Sequence, residues 1–382
     1  MKTRRRTPSA ASIGRLATSV LAVAAIAGCG QHNQTHKAGP VQSQPSSDSG
    51  TAVFAFTTAS QLSIVRGSVI IATAPTPAEP THPVFTPTGR FAAATTADGH
   101  IVTTGLKPNT SRTIRAQTTQ VFGDHGDTIT WWQQPNQLVS LDLSEQSSEP
   151  VTTQIDLPGG TPEGSRLISL SARTAVFARP GLSGGREQLI RMDRSRTMTP
   201  LAPSPEITNP IRIAIPSFNG SQFAYTAPLR AACPKDGVSI VDTGTGDPSS
   251  ARMPYSIDDR ATTHRVWWDL DGLLHMSIAT RPCTADTPGA ITAWKLEHST
   301  WVRADPDDAL VSRQLGDRAV AVVKPARLNP PAGTLWLSTE TGSAYIANNV
   351  TDLAAPAIPI MADLADILQS IQHPRNNDGT LS

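Results

Sequence analysis

The chain has 382 residues, of which 38% are hydrophobic, 16% charged and 5% aromatic, with 32 prolines and 27 glycines. Helix breakers at that density, spread along the whole length, exclude a coiled coil or a long helical bundle. Val/Ile/Leu-rich runs that recur to the end of the chain exclude wholesale disorder, and 32 basic against 31 acidic residues leave no charge excess that marks a nucleic-acid partner.

Residues 1–16 carry Lys2, Arg4, Arg5, Arg6 and Arg15 and no acid. The apolar run Ala17–Ala27 follows. It is too short to cross a ~30 Å hydrocarbon core as a helix, but it has the length of a signal-peptide apolar region. A twin-arginine signal is a weak reading, because no apolar residue follows Arg4-Arg5-Arg6-Thr7 in the required place. The run ends in Ile26-Ala27-Gly28-Cys29, which resembles the lipobox of bacterial secreted lipoproteins: aliphatic, small, small, cysteine. The resemblance implies a signal peptide over residues 1–28, cleavage before Cys29, and a diacylglycerol thioether and palmitate-type acylation at Cys29. It places the mature chain on the extracytoplasmic face of the cell membrane. An ordinary secretory signal with an incidental cysteine is the alternative. Two or three acyl chains anchor stably where one is marginal, at ~0.8 kcal/mol per buried methylene. Loss of the leader leaves 27 basic against 31 acidic residues, a net charge of −4. The next segment, through Gly50, has Val41 as its only large aliphatic residue among polar and turn-forming ones and cannot bury enough surface to order itself. Residues 29–50 are expected to be a tether with a mean reach on the order of 25 Å.

From Thr51 onward, short β-type runs alternate with Gly, Pro, Asn and Asp, with almost no helical period. Val84-Phe85-Thr86-Pro87-Thr88-Gly89-Arg90-Phe91, Ile215-Pro216-Ser217-Phe218-Asn219-Gly220-Ser221-Gln222-Phe223 and Trp267-Trp268-Asp269-Leu270-Asp271-Gly272-Leu273-Leu274 each read as strand, tight turn, strand. These stretches resemble the F-S-P-D-G turn of TolB-type and WD40-like β-propeller repeats, with Thr88 and Asn219 where Asp is usual. Four-strand units start near residues 82, 117, 165, 212, 262 and 309, at the ~40–50-residue period of a propeller blade. The N-terminal stretch offers only three strands, and a strand near Ala357–Ile360 is expected to supply the missing inner one. The fold class is therefore all-β: a β-propeller of seven four-stranded blades over residues 51–374. Six or eight blades, or a pair of β-sandwich domains, are the competing architectures. A short C-terminal helix is expected from the spacing of Met361, Leu364, Ile367, Leu368 and Ile371, and residues 375–382 read as a disordered tail.

In the blade register, Cys233 and Cys283 fall in equivalent loops of adjacent blades, so a disulfide between them is expected, with two free thiols as the alternative. The same loop is long in four consecutive units and carries Arg179, Arg186, Arg230, Lys235, Arg281, Lys324 and Arg327. These seven are candidate binding residues for an anionic lipid or glycan or an acidic envelope protein; solvated arginines without a partner are the plain reading. Of the paired tryptophans Trp131-Trp132 and Trp267-Trp268, one of each is expected in the core, and the other faces a neighbouring blade or the channel.

Catalytic motifs mostly fail. Gly181-Leu182-Ser183-Gly184-Gly185 matches G-x-S-x-G, but the residues that follow read as a strand, not the helix a nucleophile elbow needs. The histidines lack metal-ligand spacing, and the acidic pairs lack the order of a calcium loop. No catalytic residue, metal or cofactor is assigned. The functional expectation is a membrane-anchored binding or scaffold module of the bacterial cell envelope. A propeller enzyme, a glycosidase or quinoprotein-like dehydrogenase, is the alternative.

Overall fold

The computed structural model describes residues 52–357 apart from 108, 172–173, 182–186, 203–209, 230, 288 and 317. The leader, Cys29, the tether, Arg186, Arg230 and the helix expected at Met361–Ile371 lie outside the described residues.

The described chain forms seven four-stranded antiparallel sheets. The first blade begins with β1 (Val53–Thr58), β2 (Gln61–Arg66) and β3 (Val69–Pro75). The second holds β4 (Val84–Phe85), β5 (Phe91–Thr95), β6 (His100–Gly105) and β7 (Arg112–Arg115); the third holds β8 (Val121–Gly123), β9 (Thr128–Gln133), β10 (Gln137–Asp142) and β11 (Val151–Gln154). The fourth consists of β12 (Arg166–Leu170), β13 (Thr174–Arg179), β14 (Gln188–Asp193) and β15 (Met198–Leu201). The fifth runs β16 (Ile213–Pro216), β17 (Gln222–Pro228), β18 (Asp236–Asp242) and β19 (Pro248–Ser249). Then come β20 (Asp259–Trp268), β21 (Leu274–Pro282), β22 (Ile291–Glu297) and β23 (Thr300–Arg303) in the sixth. The seventh is β24 (Val311–Gln314), β25 (Ala319–Leu328), β26 (Pro331–Thr339) and β27 (Gly342–Val350).

The last strand, β28 (Asp352–Ala354), returns to the first blade and pairs with β1 through Ala55↔Ala354, Phe56↔Leu353 and Thr57↔Asp352. Ahead of it, Thr351 donates its N–H to the Thr57 carbonyl at 2.8 Å, and the two threonine hydroxyls meet at 3.0 Å. Ring closure by a late strand agrees with the sequence expectation; its position does not. The closing strand lies at Asp352–Ala354, ahead of the expected Ala357–Ile360, of which 358–360 lie outside the described residues; it is hidden in the sequence because a charged residue begins it and is compensated only in three dimensions, as described below.

Period-two alternation explains the core. In β1, Phe54 and Phe56 pack toward the seventh blade, and Val53 and Ala55 pack toward the second. Trp131 joins the core between the second and third blades, and Trp132 the core between the third and fourth. Trp268 and Trp267 likewise straddle the sixth blade. Among the described residues the buried apolar side chains fall into seven clusters, each spanning a junction between neighbouring blades. A sheet with both faces covered in this way exposes only its outer edge strand, such as β3 with Val69 and Ile70 exposed.

The turns after β4, β16 and β20 follow the sequence reading. Gly89, Gly220 and Gly272 have φ of 71°, 67° and 78° and donate to the carbonyls of Thr86, Ser217 and Asp269 at 2.7, 2.9 and 2.8 Å. Asn219 and Asp271 each accept the N–H two residues on, at 3.0 and 2.9 Å, and Thr88 does so at 3.3 Å. The three residue types thus do one job. Gly123 is needed for a different reason: a Cβ there would stand 2.3 Å from the Phe85 carbonyl oxygen, where the inner strands of two blades meet.

Candidate functional site: the central channel

Seven inner strands converge on one axis, and a cavity of about 340 Å³ lies among them, with residues from all seven blades in its wall. Its apolar surface includes Phe85, Phe122, Ile215, Trp267, Trp268 and Leu353. Phe218, in the turn between β16 and β17, also lines it while remaining 43% exposed. Gln120 donates from Nε2 to the Ala214 carbonyl at 2.9 Å, linking the third blade to the fifth past the inner strand of the fourth. The charged and titratable residues of the wall are His82, Asp124, Arg313 and Asp352.

Asp352 is the electrostatic centre of this wall. Its side chain is 6% exposed. It accepts from His82 Nδ1 at 2.8 Å, faces Arg265 Nε at 3.1 Å and takes the Leu353 N–H at 2.8 Å. Burial alone pushes a carboxyl up; the Arg265 guanidinium, then the His82 bond and charge, then Arg313, outweigh it and hold Asp352 at about 2. Arg265 is fixed in turn by the His264 and Thr351 carbonyls at 2.7 and 2.8 Å. Asp352 of the first blade is thereby locked to the second and the sixth.

Arg313 enters from β24. Its guanidinium lies 5.8 Å from the centre of the Trp267 ring, and Nη1 reaches the Trp268 carbonyl at 3.5 Å. Burial lowers its pKa, and the charges of Asp352 and Asp269 act against that. Behind Trp267, His275 stacks on the indole at 5.4 Å, and burial holds it below the ordinary histidine value against the opposing charge of Asp269. The Asp269 carboxylate accepts the Gln314 N–H at 3.0 Å.

His264 sits at the bulge of β20 between Thr263 and Arg265. Burial, with the Arg265 charge in second place, pushes it down to about 4. An unfolded histidine takes up its proton near pH 6.5, so between pH 6.5 and 4 the unfolded chain binds more protons than the folded one. Stability is therefore expected to fall on acidification through that window, by about 3 kcal/mol at pH 4. Asp352 adds a further loss below its unfolded value of 3.8, as pH falls toward 2. Urea unfolding at pH 7.5, 5.5 and 4 checks this, with His264→Gln expected to flatten the upper part of the profile. A wild-type profile level from 7.5 to 4 rejects the assignment.

The disulfide expected from the sequence is present. Cys233 and Cys283 are bonded, with Cα atoms 5.9 Å apart, joining the connections that follow β17 and β21. The loop cations have other commitments. Lys235 is 7% exposed, and its ammonium donates to the Ser256 and Ile257 carbonyls at 3.1 and 2.6 Å while lying 5.4 Å from the Tyr255 ring centre. It is a structural clamp beside the disulfide, not a surface contact. Arg179 is taken by the Pro158 carbonyl and the Gln188 side chain, Arg281 by the Asp286 carbonyl, and Arg327 by the Pro330 carbonyl at 2.9 Å. Lys324 pairs with Asp308 at 3.4 Å. Lys324 and Arg327 also prove to be strand residues, because β25 and β26 run on into a projecting hairpin that turns at Asn329-Pro330. The serine of the G-x-S-x-G match lies outside the described residues, but its flanks are the paired strands β13 and β14, not a strand and a helix.

Sequence reasoning missed the channel cluster. Its members are separated by up to 270 positions, and the only signal was a charged residue within each of three inner strands: Arg265, Arg313 and Asp352.

No family model matches the chain, and no curated protein matches it. Among solved structures, it is similar to TolB from Acinetobacter baumannii at 13% identity, over 81% of this chain and 67% of that one, with a TM-score of 0.45. It is similar to the dihydro-heme d1 dehydrogenase NirN at 14% identity, over 83% and 79% of the two chains, with a TM-score of 0.48. The β-propeller domain of the trilobed protease from Pyrococcus furiosus aligns at 10% identity over 76% and 90%, with a TM-score of 0.49. Likeness at this level transfers no function.

Proposed function

We propose that this chain is a lipid-anchored protein of the bacterial envelope whose propeller is a binding module, tethered through Cys29 and taking its ligand in the central channel. The observation that carries the binding reading is the channel cavity itself. It combines an apolar wall with a few convergent polar groups, the usual composition of a ligand site. Two facts favour the channel over the loop face: each described loop cation contacts a carbonyl or carboxylate close to it, outside the channel wall that several blades share, and Lys235 is buried. A role in binding also suits Asp352 better than acid catalysis, since a carboxyl held at about 2 has no proton to give near neutral pH.

Expression of the full chain in a bacterial host fed an alkyne fatty acid tests the anchor. Wild type is expected to carry label and to sediment with membranes, while Cys29→Ala loses the label and accumulates as precursor. A Cys29→Ala protein that keeps both label and processing overturns the lipid assignment.

A further inference from the structure

Arg313 carries five N–H donors. Among the described residues it makes one hydrogen bond, at 3.5 Å to a main-chain carbonyl, a length at which such a bond is weak. Asp352 does not complete it, because that carboxylate is engaged by Arg265, His82 and a main-chain N–H. Asp269 does not complete it either, its Oδ1 being held by the N–H groups of Gln314 and Leu270. Arg313 is half-buried, with most of its donors unspent in the wall of a cavity large enough for a small organic molecule. The guanidinium fork matches a planar carboxylate in two parallel hydrogen bonds. The surroundings limit the charge of the guest. Asp352 and Asp269 both act electrostatically on Arg313 and offset much of its charge, so a guest with one negative charge is repelled less than a guest with two. The rest of the cavity is aromatic and aliphatic, with Trp268, Ile215, Leu353 and the half-exposed Phe218 in its wall.

From this arrangement we infer that Arg313 anchors a site for a small monocarboxylate with an apolar body, the carboxylate on the guanidinium fork and the body against the aromatic wall. The inference rests on reading the propeller as a binding module and names the chemistry of its ligand. The polar part is fixed by the seventh blade and the apolar part by the fifth, sixth and first, so the site exists only in the closed ring.

Calorimetric titration of the full chain in detergent at pH 7 tests it, with 3-phenylpropanoate as probe and 3-phenylpropanamide and inorganic phosphate as controls. The carboxylate is expected to bind saturably at one site, the amide at least tenfold more weakly, and phosphate is expected not to displace the probe. Arg313→Gln is expected to weaken the probe at least tenfold, and Arg313→Lys less, since a lysine keeps the charge without the fork. Phe218→Ala, in an exposed turn, is expected to weaken it several-fold with an unchanged melting midpoint. Equal binding of acid and amide, displacement by phosphate, or full affinity in Arg313→Gln overturns the inference. Should Arg313→Gln fail to fold, the acid–amide comparison on wild type and the Phe218→Ala variant still decide. Failure here leaves the Cys29 labelling result untouched, and a Cys29→Ala protein that stays processed and labelled leaves the carboxylate titration untouched.

Discussion

Replacing Asp352 by alanine is expected to destabilise the protein by about 3–5 kcal/mol, the cost of leaving buried cations without their counter-charge. Three elements lose a partner at once: Arg265 of the sixth blade, His82 at the entrance to the second, and the Leu353 N–H within the closing strand. Arg313, which feels the Asp352 charge, is left with less compensation as well. Asp352→Asn keeps the shape and some hydrogen-bonding capacity and is expected to lose less. Combining Asp352→Asn with Arg265→Gln is expected to recover part of the loss, because the two residues share one interaction and their effects do not add. Urea unfolding of wild type, Asp352→Asn, Arg265→Gln and the double variant reads the coupling directly. An Asp352→Ala protein within about 1 kcal/mol of wild type shows that the cluster does not hold the ring.

Removing the disulfide is the other large effect. With Cys233 and Cys283 separated by 50 positions, the loop-closure model gives about 4 kcal/mol for the double Cys→Ala variant, as an upper figure. The bond also gathers the joint between the fifth and sixth blades. The Cys283 N–H donates to the Asp258 carbonyl at 3.0 Å, and Lys235, two residues after Cys233, clamps the two carbonyls just before Asp258. Cleavage by a protease near residues 250–258 is therefore expected to speed up in the variant. Equilibrium unfolding with and without reductant separates the two contributions: reductant is expected to shift wild type and leave the variant unchanged. No shift in wild type, with the bond shown by mass spectrometry to be reduced, removes the stabilising role.

The blade period was legible because turns repeat where packing repeats. Units expected near 82, 117, 165, 212, 262 and 309 begin with strands at 84, 121, 166, 213, 259 and 311, since a glycine with positive φ follows the inner strand in the second, fifth and sixth blades. The disulfide followed from that register together with the even pair of cysteines left after Cys29. What hid the rest was charge. The closing strand opens with Asp352, which argues against burial until Arg265 is brought beside it from 87 positions away. Lys235 looked like a surface cation because the carbonyls it caps come from the segment leading into the next blade. The seventh-blade loop vanished for a local reason: Lys324 to Thr334 are prolonged β-ladder, register-shifted at Pro325/Arg327, where proline content had suggested irregular chain. A site built from three or more blades leaves no spacing for the eye to find.

The late pairing of β28 with β1 has a consequence for how such a molecule is made. Until Leu353 reaches Phe56, the first blade lacks its innermost strand and the circle is open. A chain that emerges from its amino end therefore cannot lock before residues 352–354 have been delivered. A polypeptide threaded through a narrow export pore gains from that delay, because a prematurely sealed barrel-like body has to be torn open again to pass. The aspartate, histidine and arginine that meet at the seam act as the last stitch.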